Sequence, residues 1–251
     1  MSVHTFDTMG TVVSIRLPDS LASDDAQMAL SMVEREFTLR DERFSLYKQD
    51  SEASRIARGE LLLTDSSDTM RDAYAESLAW RDATGGAFTP HRPDGVLDLS
   101  GTVKADALRA SDVVLREAGV DVFSVNAGGD LVTAGVPEVG AWITGIANPL
   151  EAGDVLSVVS MTSTFSCMAT SGTAERGEHI WRRPETDASF VQATVCAGDI
   201  MTADVLATAI IAGGAETLDY VTSRGDVAVL VVRADGSLLG NDAFRNLVTP
   251  A

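Results

Sequence analysis

The sequence predicts an α+β fold, a largely antiparallel sheet with helices on its faces. Three observations carry that expectation. Short runs of strand character follow one another from residue 122 to 197 at the spacing of an antiparallel sheet, several of them joined by glycine turns. Helical patterns occupy residues 23–36, 68–83 and 103–118. No Pro/Ser-rich linker interrupts the 251 residues, so residues 1–251 are expected to form a single domain.

Taken in order, residues 11–17 alternate like a half-buried strand after Met9-Gly10. From Ser23, with Asp24 and Asp25 behind it, an amphipathic helix is expected to reach Glu36 and to turn Met28, Leu30, Met32, Val33 and Phe37 towards the core. Tyr47 falls between this helix and a short one opening at Ser51. It is either a wedge at a helix junction or an aromatic surface for a ring-bearing ligand. The next helix carries Met70, Ala73, Leu78 and Trp80 and stops at Thr84-Gly85-Gly86. Turn chemistry fills residues 87–95, with His91 expected in an exposed loop. Residues 96–100 read as a short strand that passes through Gly101 into a helix whose first turn holds Lys104. Such an entry lets a helix N-terminus approach an anion, although many such turns bind nothing.

Residues 122–130 run into a double glycine, read as a hairpin turn needing positive φ, or as a place where a ligand meets bare backbone. Strands are expected over 142–146, 155–161, 164–170 and 190–197, and a terminal hairpin over 227–239, with a helix over 215–224 before it. The chain shows no internal repeat.

Charge limits the partners. Nineteen basic against 37 acidic residues give a formal charge of −18, which repels nucleic acid and anionic membranes. No long uncharged apolar run is expected to insert into a membrane, and the start, Met1-Ser2-Val3-His4, carries no basic and apolar leader, so a cytoplasmic location is expected. Cys167 and Cys196, outside any metal-ligand spacing, read as buried thiols.

The stretch from Met201 to Ile211 stands out. Thr202 is a plausible N-cap, and the aliphatic run behind it reads as a buried helix that places Asp204 and Thr208 on one face. A hard cation such as Mg2+ would suit that carboxylate and hydroxyl. The alternative is an aspartate favoured by the helix dipole and a threonine returning its hydroxyl to the carbonyl of residue 204.

The ordered set Met9-Gly10-Thr11, Ser45-Leu-Tyr47, Ala87-Phe88, Asp98-Leu-Ser-Gly-Thr-Val-Lys104, Asn126-Ala-Gly-Gly-Asp130, Ala169-Thr-Ser-Gly172, His179-Ile180 and Ala203-Asp-Val-Leu-Ala-Thr208 resembles the ApbE family of FAD:protein FMN transferases along nearly the whole chain. That resemblance implies two lobes around a ligand cleft, and Mg2+-dependent transfer of FMN from FAD to a Thr or Ser hydroxyl of a target flavoprotein, with release of AMP. It implies Asp204, Thr208 and the carbonyl of Gly101 as Mg2+ ligands. It implies Met9, Tyr47, Ala87, Phe88, Asp98, Lys104 and Ile180 as FAD contacts, and His179 as the general base. Three positions depart from the family pattern: Arg182 stands where an aspartate is usual, Thr89 where another is, and Ala57 where asparagine is frequent. Two alternatives share the site: an FAD pyrophosphatase giving FMN and AMP, and a non-catalytic FAD-binding carrier.

Overall fold

The computed structural model describes residues 1–138, 140–172, 180–181 and 190–249. It opens with a hairpin, β1 (Ser2–Thr8) and β2 (Thr11–Leu17), followed by the helices α1 (Ser23–Phe44), α2 (Glu52–Ala57), α3 (Asp68–Ala83) and α4 (Ser100–Glu117). Then come β3 (Phe123–Ala127), β4 (Asp130–Ala134), β5 (Ile143–Ala147), β6 (Val155–Ser160), β7 (Cys167–Gly172) and β8 (Phe190–Ala197). The chain ends with α5 (Ile200–Ser223), β9 (Ala228–Arg233), β10 (Leu238–Gly240) and α6 (Asp242–Arg245). Eight strands form one sheet in the order β1-β2-β3-β4-β7-β8-β9-β10, and β5 and β6 pair separately. Every pairing is antiparallel, as expected from the sequence.

Three apolar clusters organise these elements. The main one lies between one face of the sheet and α1, α4 and α5, with Phe37, Leu108, Phe123, Val195 and Ile210 fully buried. The other face, through Leu131, Met168 and Leu230, packs on Trp142, Ile146 and Val159 around the β5-β6 pair and on Phe244 of α6. The third gathers Phe44, Ala53, Met70, Leu97, Leu99 and Val103. The end of α1 and the start of α4 therefore reach into a smaller lobe with α2 and α3. Arg109 joins α4 to α3 through both carboxylate oxygens of Glu76 at 2.7 and 2.9 Å, while Asp106 accepts from Arg109 and from Arg40 of α1.

Several boundaries differ from the sequence reading, each for a local reason. β1 was not expected, because its polar residues describe an edge strand without an apolar face. The first helix continues to Phe44, since Phe37 and Phe44 extend its buried stripe by two turns, and Met28 faces solvent instead of the core. Residues 96–100 are not a strand. His91 bridges Leu97, and α4 begins at Ser100, which puts Gly101 inside its first turn. The helix expected from Thr202 begins at Ile200, because Asp199 is the N-cap and accepts from the Thr202 amide at 2.8 Å. Gly214, at φ 68° and ψ −146°, breaks α5 where the sequence reading began a new helix. By length and composition α5 is apolar enough to cross a membrane, but 72% of its apolar window is buried inside the fold, as in a core helix.

Cys167 and Cys196 are buried on neighbouring strands but belong to clusters on opposite faces of the sheet. Burial pushes each thiol from its ordinary 9.0 up to about 12. The folded protein keeps both protonated while the unfolded chain ionises them, so the stability they contribute is complete below pH 9 and is lost as pH rises towards 12. The urea midpoint is expected to fall above pH 9, with a shallower slope in a Cys167→Ala/Cys196→Ala variant. Native protein at pH 8 should resist iodoacetamide, which mass spectrometry reads directly.

A candidate metal and phosphate site at one end of the sheet

The strand registers bring the Met9-Gly10, Asn126–Asp130 and Ala169–Gly172 motifs to one end of the large sheet. Val13 pairs with Ala127, so the β1-β2 turn at Met9-Gly10 lies beside the β3-β4 turn at Gly128-Gly129. Those two glycines have φ of 59° and 94°, the two-residue turn expected from Asn-Ala-Gly-Gly-Asp. The Gly129 amide donates to Asn126 Oδ1 at 3.3 Å. Asp130 opens β4 at this end and accepts from the Thr170 amide of β7 at 3.1 Å, so residues 170–172 are there too.

Two helices arrive at the same place. α4 brings Lys104, whose ammonium pairs with Asp130 Oδ2. The lysine side chain is 14% exposed and the aspartate side chain fully buried. From α5 comes Thr208, whose hydroxyl lies 2.9 Å from that of Ser171 on β7. Asp204, one turn earlier on the same helix, is 6% exposed. The expected juxtaposition of carboxylate and hydroxyl is therefore present, on a helix packed against β7 and β8.

The remaining candidates differ in what they can offer. Met9 has φ 48°, the one positive value at a non-glycine among the described residues, and packs against both the main and the smaller apolar clusters. A left-handed methionine costs roughly 1–2 kcal/mol, and such strain concentrates at working sites. Ala87 and Phe88 are buried between the two helices: a β-carbon built on Gly101 would stand 3.1 Å from the Phe88 ring, and one on Gly213 2.8 Å from Ala87 Cβ. Both their amides are engaged by Thr84, so they act mainly as packing. Asp98 accepts from the Ser100 amide at 2.9 Å, at the start of α4. Ile180 is half-buried against the main cluster. Tyr47 is 90% exposed, so it is no wedge. His179 and Arg182 lie outside the described residues.

One electrostatic expectation changes. Lys104 was read as a cation added to the helix N-terminus, but its charge is matched by Asp130, so it reaches any ligand as half of a neutral pair. Asp130 and Ser171 both stand inside motifs quoted from the sequence, where glycines and strand character drew attention away from them. His91, expected in an exposed loop, is half-buried and meets the Tyr74 hydroxyl at 3.3 Å. This pair lines a cleft of about 330 Å³ with Ile56, Leu63 and Leu97 in the smaller lobe, away from Asp204 and Thr208.

The donors suit a hard cation. One carboxylate, one hydroxyl and a backbone carbonyl are oxygen donors of the kind Mg2+ accepts, with positions left for phosphate and water. Among the described residues no three His, Cys, Asp or Glu side chains gather as a zinc-type site would require. In the first turn of α4 the Ser100 amide donates to Asp98 and the Thr102 and Val103 amides to the Leu99 carbonyl, so the Gly101 amide is the one placed to meet a phosphate.

A family model described as the ApbE family matches residues 89–231, more than half of the chain. Among solved structures, the ApbE protein of Thermotoga maritima aligns with a TM-score of 0.81 at 17% identity, covering 99% of both chains. The flavin transferase ApbE of Vibrio cholerae aligns at 0.78 and 20% identity over 98% of each chain. The flavinyl transferase ApbE of Pseudomonas stutzeri, in its apo form, aligns at 0.77 and 19%, covering 99% of this chain and 98% of its own. At these identities the structures establish a shared fold. No curated protein matches the chain.

Proposed function

Because the chain belongs to the ApbE family, we propose that it transfers FMN from FAD to a Thr or Ser hydroxyl of a target flavoprotein and releases AMP. The observation that most supports this reading is the buried Asp204 carboxylate one helical turn from Thr208, at the end of the sheet where α4 begins and Lys104 meets Asp130. Asp204, Thr208 and the Gly101 carbonyl would hold Mg2+, which when bound offsets the charge of the diphosphate. The Gly101 amide at the start of α4 would meet a phosphate, and Lys104, held by Asp130, would donate a hydrogen bond without adding net charge. Met9 and the exposed ring of Tyr47 would offer surface to the flavin or adenine.

In the transfer, the acceptor hydroxyl oxygen forms a bond to the FMN-side phosphorus. The anhydride P–O bond breaks and its electron pair leaves with AMP. The acceptor proton needs a base, and the family resemblance assigns that role to His179. The experiment is incubation with FAD, Mg2+ and a candidate flavoprotein, following AMP by chromatography and the flavoprotein by mass. AMP together with an FMN-sized mass increase is the expected result. AMP alone would reassign the chain as a pyrophosphatase, and retained FAD with neither product as a carrier.

A further inference from the structure

The hydroxyl pair between β7 and α5 carries an inference that rests on the Mg2+ reading above: we infer that Ser171 is a positioning residue for Thr208, setting the affinity of the metal site without being one of its ligands. A threonine hydroxyl has one proton and two lone pairs. When a lone pair points at a cation, the proton has to be received by an acceptor outside the coordination shell. Inside a helix that acceptor is ordinarily the carbonyl four residues back, which turns the hydroxyl along the helix axis. Here the Thr208 Oγ1 has Ser171 Oγ at 2.9 Å, which draws it towards the sheet.

Ser171 is well built for this task. It is 9% exposed, so bulk water does not readily replace it. Its strand is paired on β8, Ser171 opposite Ala193, and its neighbour Thr170 is held twice, by its amide to Asp130 Oδ1 and by its hydroxyl to Thr194 Oγ1 at 2.9 Å. Since Asp130 also grips Lys104, two adjacent residues of β7 fix both the hydroxyl assigned to the metal and the lysine assigned to the phosphates. The serine's position is thus set by the sheet and does not depend on a ligand being present.

The test is Mn2+ binding by the full chain, followed by the loss of free Mn2+ signal in electron paramagnetic resonance, with metal-free thermal unfolding measured alongside. Removal of an outer partner of a metal ligand weakens binding by about 10- to 100-fold. Ser171→Ala is expected to weaken Mn2+ binding in that range, Ser171→Thr to restore most of it, and Ser171→Ala added to Thr208→Ala to cause little further loss. If Thr208→Ala and Asp204→Ala weaken binding while Ser171→Ala binds like the parent, the serine has no positioning role and the metal assignment stands. If neither Asp204→Ala nor Thr208→Ala changes Mn2+ affinity, the metal assignment itself fails and takes this inference with it. Should Ser171→Ala also lower metal-free stability, the double variant decides: additive losses overturn the inference, and non-additive losses support it.

Discussion

Asp204→Ala is expected to lower AMP release from FAD by at least about a hundredfold, the scale on which removal of a preorganised charge-stabilising group acts. The reason is local. Asp204 is 6% exposed on a helix whose other residues from Ala203 to Ala207 are buried aliphatics, so alanine there leaves that stretch of α5 without a carboxylate. The change removes a few atoms from a buried surface, which makes the fold a necessary control. Circular dichroism and the metal-free unfolding temperature separate a folded, inactive protein from an unfolded one. Activity within a few-fold of the parent in a folded variant would remove Asp204 from the metal assignment.

Asp130→Ala carries the largest expected effect on stability. It leaves the Lys104 ammonium, on a side chain 14% exposed, without the fully buried carboxylate that faces it, and it also deprives the Thr170 amide of its acceptor. Breaking a buried pair in this one-sided way costs about 3–5 kcal/mol. For a chain of this size that is a fall in unfolding temperature of about 10 °C. Removing both charges is much milder, since similar-sized apolar replacements of a buried pair are often neutral. The Lys104→Met/Asp130→Leu double variant is therefore expected to recover most of the loss. Calorimetry of the two single variants and the double variant measures the coupling. Losses that simply add would mean that the two groups do not act as a pair.

How far the sequence revealed this arrangement depended on the range of the interaction involved. Antiparallel strands, the double-glycine turn and the Asp204–Thr208 spacing follow from periodicities of two and four residues, which are local. The break at Gly214 was legible because paired glycines interrupt a helix. Edge strand β1 was not, since its polar alternation lacks the buried face on which strand recognition depends. Lys104 was seen as a cation, but its partner lies on another element, and no local pattern reports that Asp130 turns inward. Ser171 was hidden for the same reason: its hydroxyl contact crosses 37 positions of chain. Ala87 and Phe88 were selected through the family resemblance, and their burial between α4 and α5 is a tertiary fact.

The central claim, that the Asp204–Thr208 face of α5 and the start of α4 grip a divalent ion and a diphosphate together, is tested most directly by crystals grown with Mn2+ and FAD. Anomalous scattering locates the metal independently of any assumption about the ligand. The expected result is a peak about 2.1 Å from a carboxylate oxygen of Asp204 and from the hydroxyl of Thr208, with the diphosphate against the first turn of α4. A metal bound elsewhere, with both side chains turned into packing and the diphosphate away from α4, would contradict it.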